Sequence, residues 1–280
     1  MEGDPVKILR RVLVLTGSLM LVMASASGVG LAQQAPLTFG VLNQQSPALT
    51  AERWNPILHY VSTASGVALR FRMGATVQET DAMMERGEFD FVFTNHNFQP
   101  EYESIGYRVI ARWGGEPIRA IVAVAVDGPI KELGQLDGKK VAFPSRDAFL
   151  GYAVPIVALK NAGVRIDEVL AGNQEGAMAQ LKSRRVDAAA VNSRFLAQYS
   201  EREGVRFRPI FTSEPYPELA VVAHPRLPAA VVDKVRRALL AMKTDPLAQP
   251  ILEQAKSPGF EPATDRDYDS VRRIYKLVGQ

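Results

Sequence analysis

The chain has 280 residues, 47% of them hydrophobic and 22% charged, with a formal charge of +3, a composition that suits a globular protein of one large or two modest domains. The absence of cysteine excludes disulfides, thiolate metal sites, thiol catalysis and a lipid-modified N-terminal cysteine. Three histidines (His59, His96, His224) argue against a multi-histidine metal centre, and no block of lysine and arginine tracks nucleic acid, so neither a cofactor nor a nucleic-acid partner is expected.

Lys7, Arg10 and Arg11 precede an apolar run, Val12 to Met23, which is shorter than the roughly 20 residues a membrane span needs. Small residues follow, and Gly30-Leu31-Ala32 offers a small-x-Ala cleavage site, with Ala24-Ser25-Ala26 as a second candidate. Residues 1–32 therefore read as a signal peptide, and the mature protein as exported to the periplasm.

Leu37 to Leu42 reads as a strand, followed by a loop, Asn43 to Pro47, and a helix with Trp54, Ile57, Leu58 and Val61 at helical spacing. Val67 to Met73 alternates as a strand does, Thr76 to Arg86 reads as a helix stopped by Gly87, and Phe89 to Phe93 as a further strand before Thr94-Asn95-His96-Asn97. This strand-helix alternation predicts a parallel sheet flanked by helices. Arg108 to Trp113 and Ile118 to Val126 are the next strands. Val141-Ala142-Phe143, ended by Pro144, opens a strand-loop-helix junction whose helix runs from Gly151 to Asn161. Then come a helix (Gln174 to Ser183), a strand (Val186 to Val191), a short helix (Phe195 to Ser200) and two strands (Phe207 to Phe211, Leu219 to Ala223). Helices at Pro228 to Met242, Asp245 to Gln254 and Ala263 to Val278 close the chain, the last capped by Thr264 or Asp265.

Two segments echo each other at a spacing of about 100 residues, AMMERGEFDFVFTN from Ala82 and AQLKSRRVDAAAVNS from Ala179. Each carries an aspartate within a strand and then an apolar run that ends in asparagine. The chain thus reads as α/β: two similar lobes, each a mostly parallel sheet flanked by helices, joined by a two-strand hinge. Residues 36–118 and 217–280 form lobe one and 119–216 lobe two, with Arg119 to Val124 and Phe211 to Val221 as the hinge. Ligands of open parallel sheets bind beyond the carboxyl ends of the strands. That rule gathers four loops into one cleft: Asn43–Pro47, Thr94–Phe98, Ser145–Tyr152 and Asn192–Arg194.

The stretches FGVLNQQSP, DFVFTN, LGQLDGKKVAF, GYAVPIVALKNAGV, VDAAAVNS and GFEPATDRDYDSVRRI, taken together, resemble the phosphate/phosphite/phosphonate family of periplasmic substrate-binding proteins. The resemblance implies the type II periplasmic binding protein fold and a role in ABC transport. Phosphonate binders of that family carry Ser-Thr-Ser-Gly-Tyr at the start of the cleft helix of lobe two. Gly151 and Tyr152 match its end, while Ala148, Phe149 and Leu150 stand at the hydroxyl positions. FTNHNF is similar to a branch of periplasmic sensor domains.

Arg146 is a candidate for a bidentate contact to an oxyanion, or a solvated loop arginine. Asn95, Asn192 and Thr94 end paired strands where they can bond a ligand or cap a turn. His96 can donate to an anion. Gln45 and Ser46 stand where the first helix begins, and Ser46 also suits its N-cap. Phe149 and Tyr152 line a wall of the cleft or join the core, and Gly151 lets the backbone approach a ligand. No G-x-S-x-G, H-E-x-x-H or P-loop is present, and an enzyme is not expected. The expected function is capture of a small oxyanion or phosphonate-like ligand by a monomer that serves an ABC permease. The alternative is a ligand sensor signalling to a membrane histidine kinase.

Overall fold

The computed structural model describes residues 35–43 and 46–279, so the signal-peptide reading of residues 1–32 and the candidate Gln45 lie outside the described residues. No helix among the described residues is long and apolar enough to cross a membrane.

The chain first lays down β1 (Leu37–Val41), α1 (Pro47–Ser65), β2 (Leu69–Arg72), α2 (Val77–Glu85), β3 (Phe91–Thr94), a short α3 (Pro100–Glu103) and β4 (Arg108–Trp113). It then forms β5 (Ala120–Ala125), β6 (Lys140–Phe143), α4 (Val154–Asn161), β7 (Asp167–Leu170), α5 (Gln174–Lys182), β8 (Ala188–Asn192), α6 (Ser193–Glu203) and β9 (Phe207–Thr212). β10 (Ala220–Ala223), α7 (Ala229–Ala241), α8 (Gln249–Gln254), β11 (Phe260–Glu261) and α9 (Asp269–Val278) complete it.

Two sheets result. One has six strands in the order β11-β4-β10-β3-β1-β2, the other five in the order β7-β6-β8-β5-β9. β2, β1 and β3 are mutually parallel, as are β7, β6 and β8. An antiparallel strand joins each triplet, β10 beside β3 and β5 beside β8. This is the two-lobed α/β architecture of type II periplasmic binding proteins.

α1 shows how local chemistry sets an element. The Ser46 hydroxyl accepts from the Leu49 N–H, Pro47 occupies the first turn, and Gly66 ends the helix at φ 67°, in the left-handed region that glycine enters at little cost. Its inner face buries Trp54, Ile57, Leu58 and Val61, as the helical spacing predicts. Trp54 packs on Phe39, Phe93, Trp113 and Phe260, with ring centroids 5.3, 4.7, 5.9 and 6.2 Å away, and joins β1, β3, β4 and β11 to the helix.

The chain passes between the sheets over residues 114–119 and 213–219. Ile118 and Tyr216 form an antiparallel bridge there, and the Arg119 guanidinium donates to the Ser213 carbonyl at 2.6 Å. β5, expected to cross between the lobes, instead lies inside the five-stranded sheet with a partner on each side. Its residues are apolar on both faces, and such a strand is stable only where neighbours cover both faces. The crossing is the polar, glycine- and proline-containing stretch before it. The C-terminal segment returns strands to the six-stranded sheet, yet α9 packs on α4 and on the turn before it, and Lys160 Nζ donates to the Val278 carbonyl at 3.2 Å.

Three local differences have physical reasons. β7 (sequence DEVL) is an exposed edge strand without apolar alternation, so its periodicity carries no signal. α8 starts at Gln249 rather than Asp245 because the preceding residues form turns around Pro246, with Asp245 Oδ1 accepting from the Leu247 N–H. α9 starts at Asp269, after a 3₁₀ turn that Thr264 and Asp267 close as a reciprocal capping box.

Replacing Trp54 by Ala should lower the unfolding free energy by about 3–5 kcal/mol, the range for a fully buried aromatic cut to a methyl. A urea titration followed by far-UV circular dichroism measures it, and a loss under about 1 kcal/mol would mean that another residue holds this core.

Candidate functional site

A cavity of about 110 Å³ opens between the two sheets. By the roughly 10–15 Å³ that one water takes, it has room for a ligand of only several heavy atoms. Its walls come from the segments after β1, β3, β6 and β8, which are carboxyl ends of strands in both lobes, together with the start of α2, the turn before α5 and the crossing segment at Pro217–Leu219.

On the lobe-one side, His96 and Asn95 border the cavity. His96 is 2% exposed, and its Nδ1 lies 3.0 Å from both carboxylate oxygens of Asp81, a residue of α2 that is itself 4% exposed. Thr94 is buried and accepts from the His96 N–H at 3.0 Å, so it shapes the turn that carries the imidazole. Burial pulls the His96 pKa down, but the charge and hydrogen bond of Asp81, joined by the charge of Asp147, outweigh it and hold the imidazole above its ordinary value. The pairing favours the imidazolium form, with Nδ1 spent on Asp81 and Nε2 left available. Asn43, also in the wall, is spent at both ends, donating to the Gly74 carbonyl at 2.9 Å and accepting from the Thr80 hydroxyl at 2.5 Å.

On the lobe-two side, the loop after β6 enters a single π-helical turn, Phe149–Ala153, that continues into α4. The first N–H groups of a helix lack intrahelical acceptors, and here they belong to residues bordering the cavity, including Leu150 and Gly151. Gly151 is required by contact, since a Cβ there would lie 2.7 Å from Pro144 Cγ. Phe149 packs its ring on Tyr216 and Tyr275, with centroids 4.9 and 5.1 Å away.

The amides of this lobe are biased in one direction. Asn192 Oδ1 accepts from the Phe195 N–H at 2.7 Å and caps α6. Asn173 Oδ1 caps α5 through the Gly176 N–H at 2.8 Å, and Gln174 Oε1 accepts from the Asn192 N–H at 2.9 Å. Each spends its carbonyl oxygen on the backbone, so the amide groups left for a ligand are NH₂ donors.

The sequence did not point to Glu218. It borders the cavity, is 7% exposed, and has Oε1 2.6 Å from Arg194 Nη2. Burial pushes its carboxyl pKa up, and Arg194 offsets this only in part. Oε1 faces Arg194, which leaves Oε2 as the second carboxylate oxygen. Among the described residues bordering the cavity, only His96 and Glu218 ionise. Asp81 was also missed. It lies mid-helix, and only the fold brings it to His96, 15 residues away in sequence.

Of the residues singled out from sequence, Asn95, His96, Phe149, Gly151 and Asn192 border the cavity together, while Ser46, Thr94, Arg146 and Tyr152 do not. Ser46 is exposed and caps α1. Arg146 has a side chain 67% exposed and pairs with Glu168 at 3.2 Å. The Tyr152 hydroxyl donates to the same Glu168 at 3.0 Å and its ring packs on Phe143, with burial and then Glu168 pushing its pKa up to about 12. Glu168 sits on the unexpected strand β7, which is why this local network was not legible.

A family model described as "ABC transporter, phosphonate, periplasmic substrate-binding protein" matches residues 39–268. Among solved structures, PhnD1 from Prochlorococcus marinus in complex with methylphosphonate is 16% identical and superposes with a TM-score of 0.75, covering 87% of this chain and 98% of that one. The binding-protein component of a phosphonate ABC transporter from Pseudomonas aeruginosa is 16% identical with a TM-score of 0.74, covering 87% of each chain. A Xanthomonas citri protein solved with chloride bound is 20% identical with a TM-score of 0.73, covering 87% of this chain and 97% of that one.

A histidine whose folded pKa is raised stabilises the fold fully below its unfolded value of about 6.5, and the contribution is lost as pH rises through the folded pKa. Asp81→Asn leaves burial as the strongest influence on His96, so its pKa should fall below the ordinary histidine value in an imidazole NMR titration. The melting temperature lost in this variant should be largest below about pH 6.5 and shrink as pH rises. An unchanged titration would show that Asp81 does not hold the proton.

Proposed function

Because the chain belongs to the periplasmic substrate-binding proteins of phosphonate ABC transporters, we propose that its interlobe cavity captures a small phosphonate-class oxyanion and delivers it to a membrane permease. The family serves transport as its substrate-binding component and acts in the periplasm. The observation that carries the ligand reading is the excess of donors in the cavity wall: the His96 imidazolium, the NH₂ groups of Asn192 and Gln174, and the backbone N–H groups at the start of the 149–153 turn. Asn95 adds an amide that caps nothing in its own turn.

An oxyanion needs donors on several sides and gains most from charged ones. Glu218 fits such a ligand in either form: ionised and paired with Arg194 it accepts from the P–OH of a monoanion, and protonated it donates to a phosphonyl oxygen. The apolar side chains at Ala148 and Leu150 suit a carbon substituent on phosphorus better than a fourth oxygen, which they would leave unpaired. The methylphosphonate complex of PhnD1, on the same fold, supports this chemistry.

Delivery requires closure and release about the crossing segments 114–119 and 213–219. The cavity is complete within one chain, which supports a monomer as the working unit. Residues 1–32 serve as an export signal removed near Ala32, which supplies the route to the periplasm; the intact mass of protein recovered from the periplasm checks it.

A thermal-shift series with methylphosphonate, phosphite, phosphate and small carboxylates tests the ligand class. At 100 times Kd a ligand adds about 2.7 kcal/mol, a rise of roughly 5–10 °C for a chain of this size. Methylphosphonate should give that rise, and Gly151→Ala, which drives a Cβ into Pro144, should abolish it. If a carboxylate shifts the protein and no phosphorus oxyanion does, the ligand reading is wrong.

A further inference from the structure

We propose that Arg194 and Glu218 form an interlobe latch that holds the cleft closed, which makes Arg194 a positioning residue that acts on the ligand only through Glu218. The two residues are anchored in different lobes. Arg194 is the second residue of α6. The start of that helix is tied to the five-stranded sheet by the Ser193 N–H donating to the Arg119 carbonyl at 2.9 Å, and by the Arg119 N–H donating to the Ser193 hydroxyl at 3.2 Å. Glu218 is tied to the six-stranded sheet. Its carbonyl accepts from the Tyr268 hydroxyl at 2.6 Å, and the carbonyl of the next residue, Leu219, accepts from the Trp113 N–H at 2.9 Å. The side chains meet at 2.6 Å.

Two observations separate this pair from the rest. Every other ion pair among the described residues closes between segments of one lobe; this one spans both. The pair also runs from solvent to the cavity wall, since the Arg194 side chain is 39% exposed and that of Glu218 is 8% exposed.

These features give the pair a direction. When the lobes separate, the guanidinium regains water at once, because it is already partly solvated. The carboxylate is the more buried of the two and has no other hydrogen-bond partner at Oε1. Separation therefore leaves a buried, unpaired carboxyl, which is costly until it takes up a proton or is exposed. The closed arrangement is favoured even without ligand, and a ligand that contacts Glu218 from the cavity side meets a carboxylate already held in place.

The cysteine-free chain makes the test direct. Gln78→Cys on α2 and Ala179→Cys on α5 place spin labels at exposed positions, one on each lobe. Pulsed electron–electron distances are recorded without ligand, so the outcome does not depend on which anion the cavity takes. The unmodified background should show a short-distance population matching this structure. Arg194→Gln should lower the closed-to-open ratio about fivefold, the size of effect a partly exposed ion pair supports. Arg194→Lys should restore much of it, and adding Glu218→Gln to Arg194→Gln should cost little more. A background without the short population, a distribution that Arg194→Gln leaves unchanged, or additive losses in the double variant would each overturn the latch.

Discussion

The arrangement depends first on the burial of Phe149. Its ring is 4% exposed and sits against Tyr216 of the crossing segment and Tyr275 of α9, and it belongs to a core cluster that also holds Phe98 and Tyr268. Full burial of a side chain of this kind is worth about 1.5–3 kcal/mol, so the turn that carries it is fixed to the crossing segment and to the last helix at once. The N–H groups of that turn are presented to the cavity because the ring beneath them is anchored. A hydroxyl at this position would bond an anion directly but would leave the cluster without its central ring. The chain uses residue 149 for packing and leaves recognition at this point to the backbone.

The electrostatics of the cleft follow from how acceptors are used up. Helices begin at each wall, and each beginning needs an oxygen for its free N–H groups. Asn192 and Asn173 supply theirs, and Gln174 bonds the Asn192 backbone. What these residues turn outward is the NH₂ end. Asp81 completes the bias from behind, since it is buried, does not border the cavity, and raises the pKa of a histidine that does. A donor-rich cavity thus arises from capping and one buried pair, without an arginine among the described residues of its wall.

The sequence makes legible whatever a short window determines. Strand-helix alternation, the Trp54 face of α1, the matched asparagines at 95 and 192, and Gly151 are all local signals, and each falls where the cleft or core requires it. What a window cannot reveal is which partner a charged group finds. Arg146 reads as an anion ligand until β7 brings Glu168 beside it, and β7 itself has no pattern because an exposed edge strand needs none. Glu218 follows a proline in a crossing segment and carries no motif. Its place in the wall is fixed by the Tyr268 hydroxyl, 50 residues on.

These same long-range contacts decide how the two lobes behave. Two kinds of interlobe contact are present, and they respond differently to opening. The apolar cluster around Phe149 and Tyr275 lies beside the crossing segment, where a rotation of the lobes moves atoms least, so its burial persists through small rotations and keeps the lobes one cooperative unit. The Arg194–Glu218 contact lies between the cavity wall and solvent. Glu218 belongs to the same crossing segment as Tyr216, so the two contacts differ in kind rather than in place: Coulomb attraction is weakened by entering water, while the apolar contact needs no aligned charge. A protein that must release its ligand to a permease needs this combination: a permanent apolar joint and a reversible polar contact. A second apolar seam at the cleft would close the lobes more firmly, but at the expense of release.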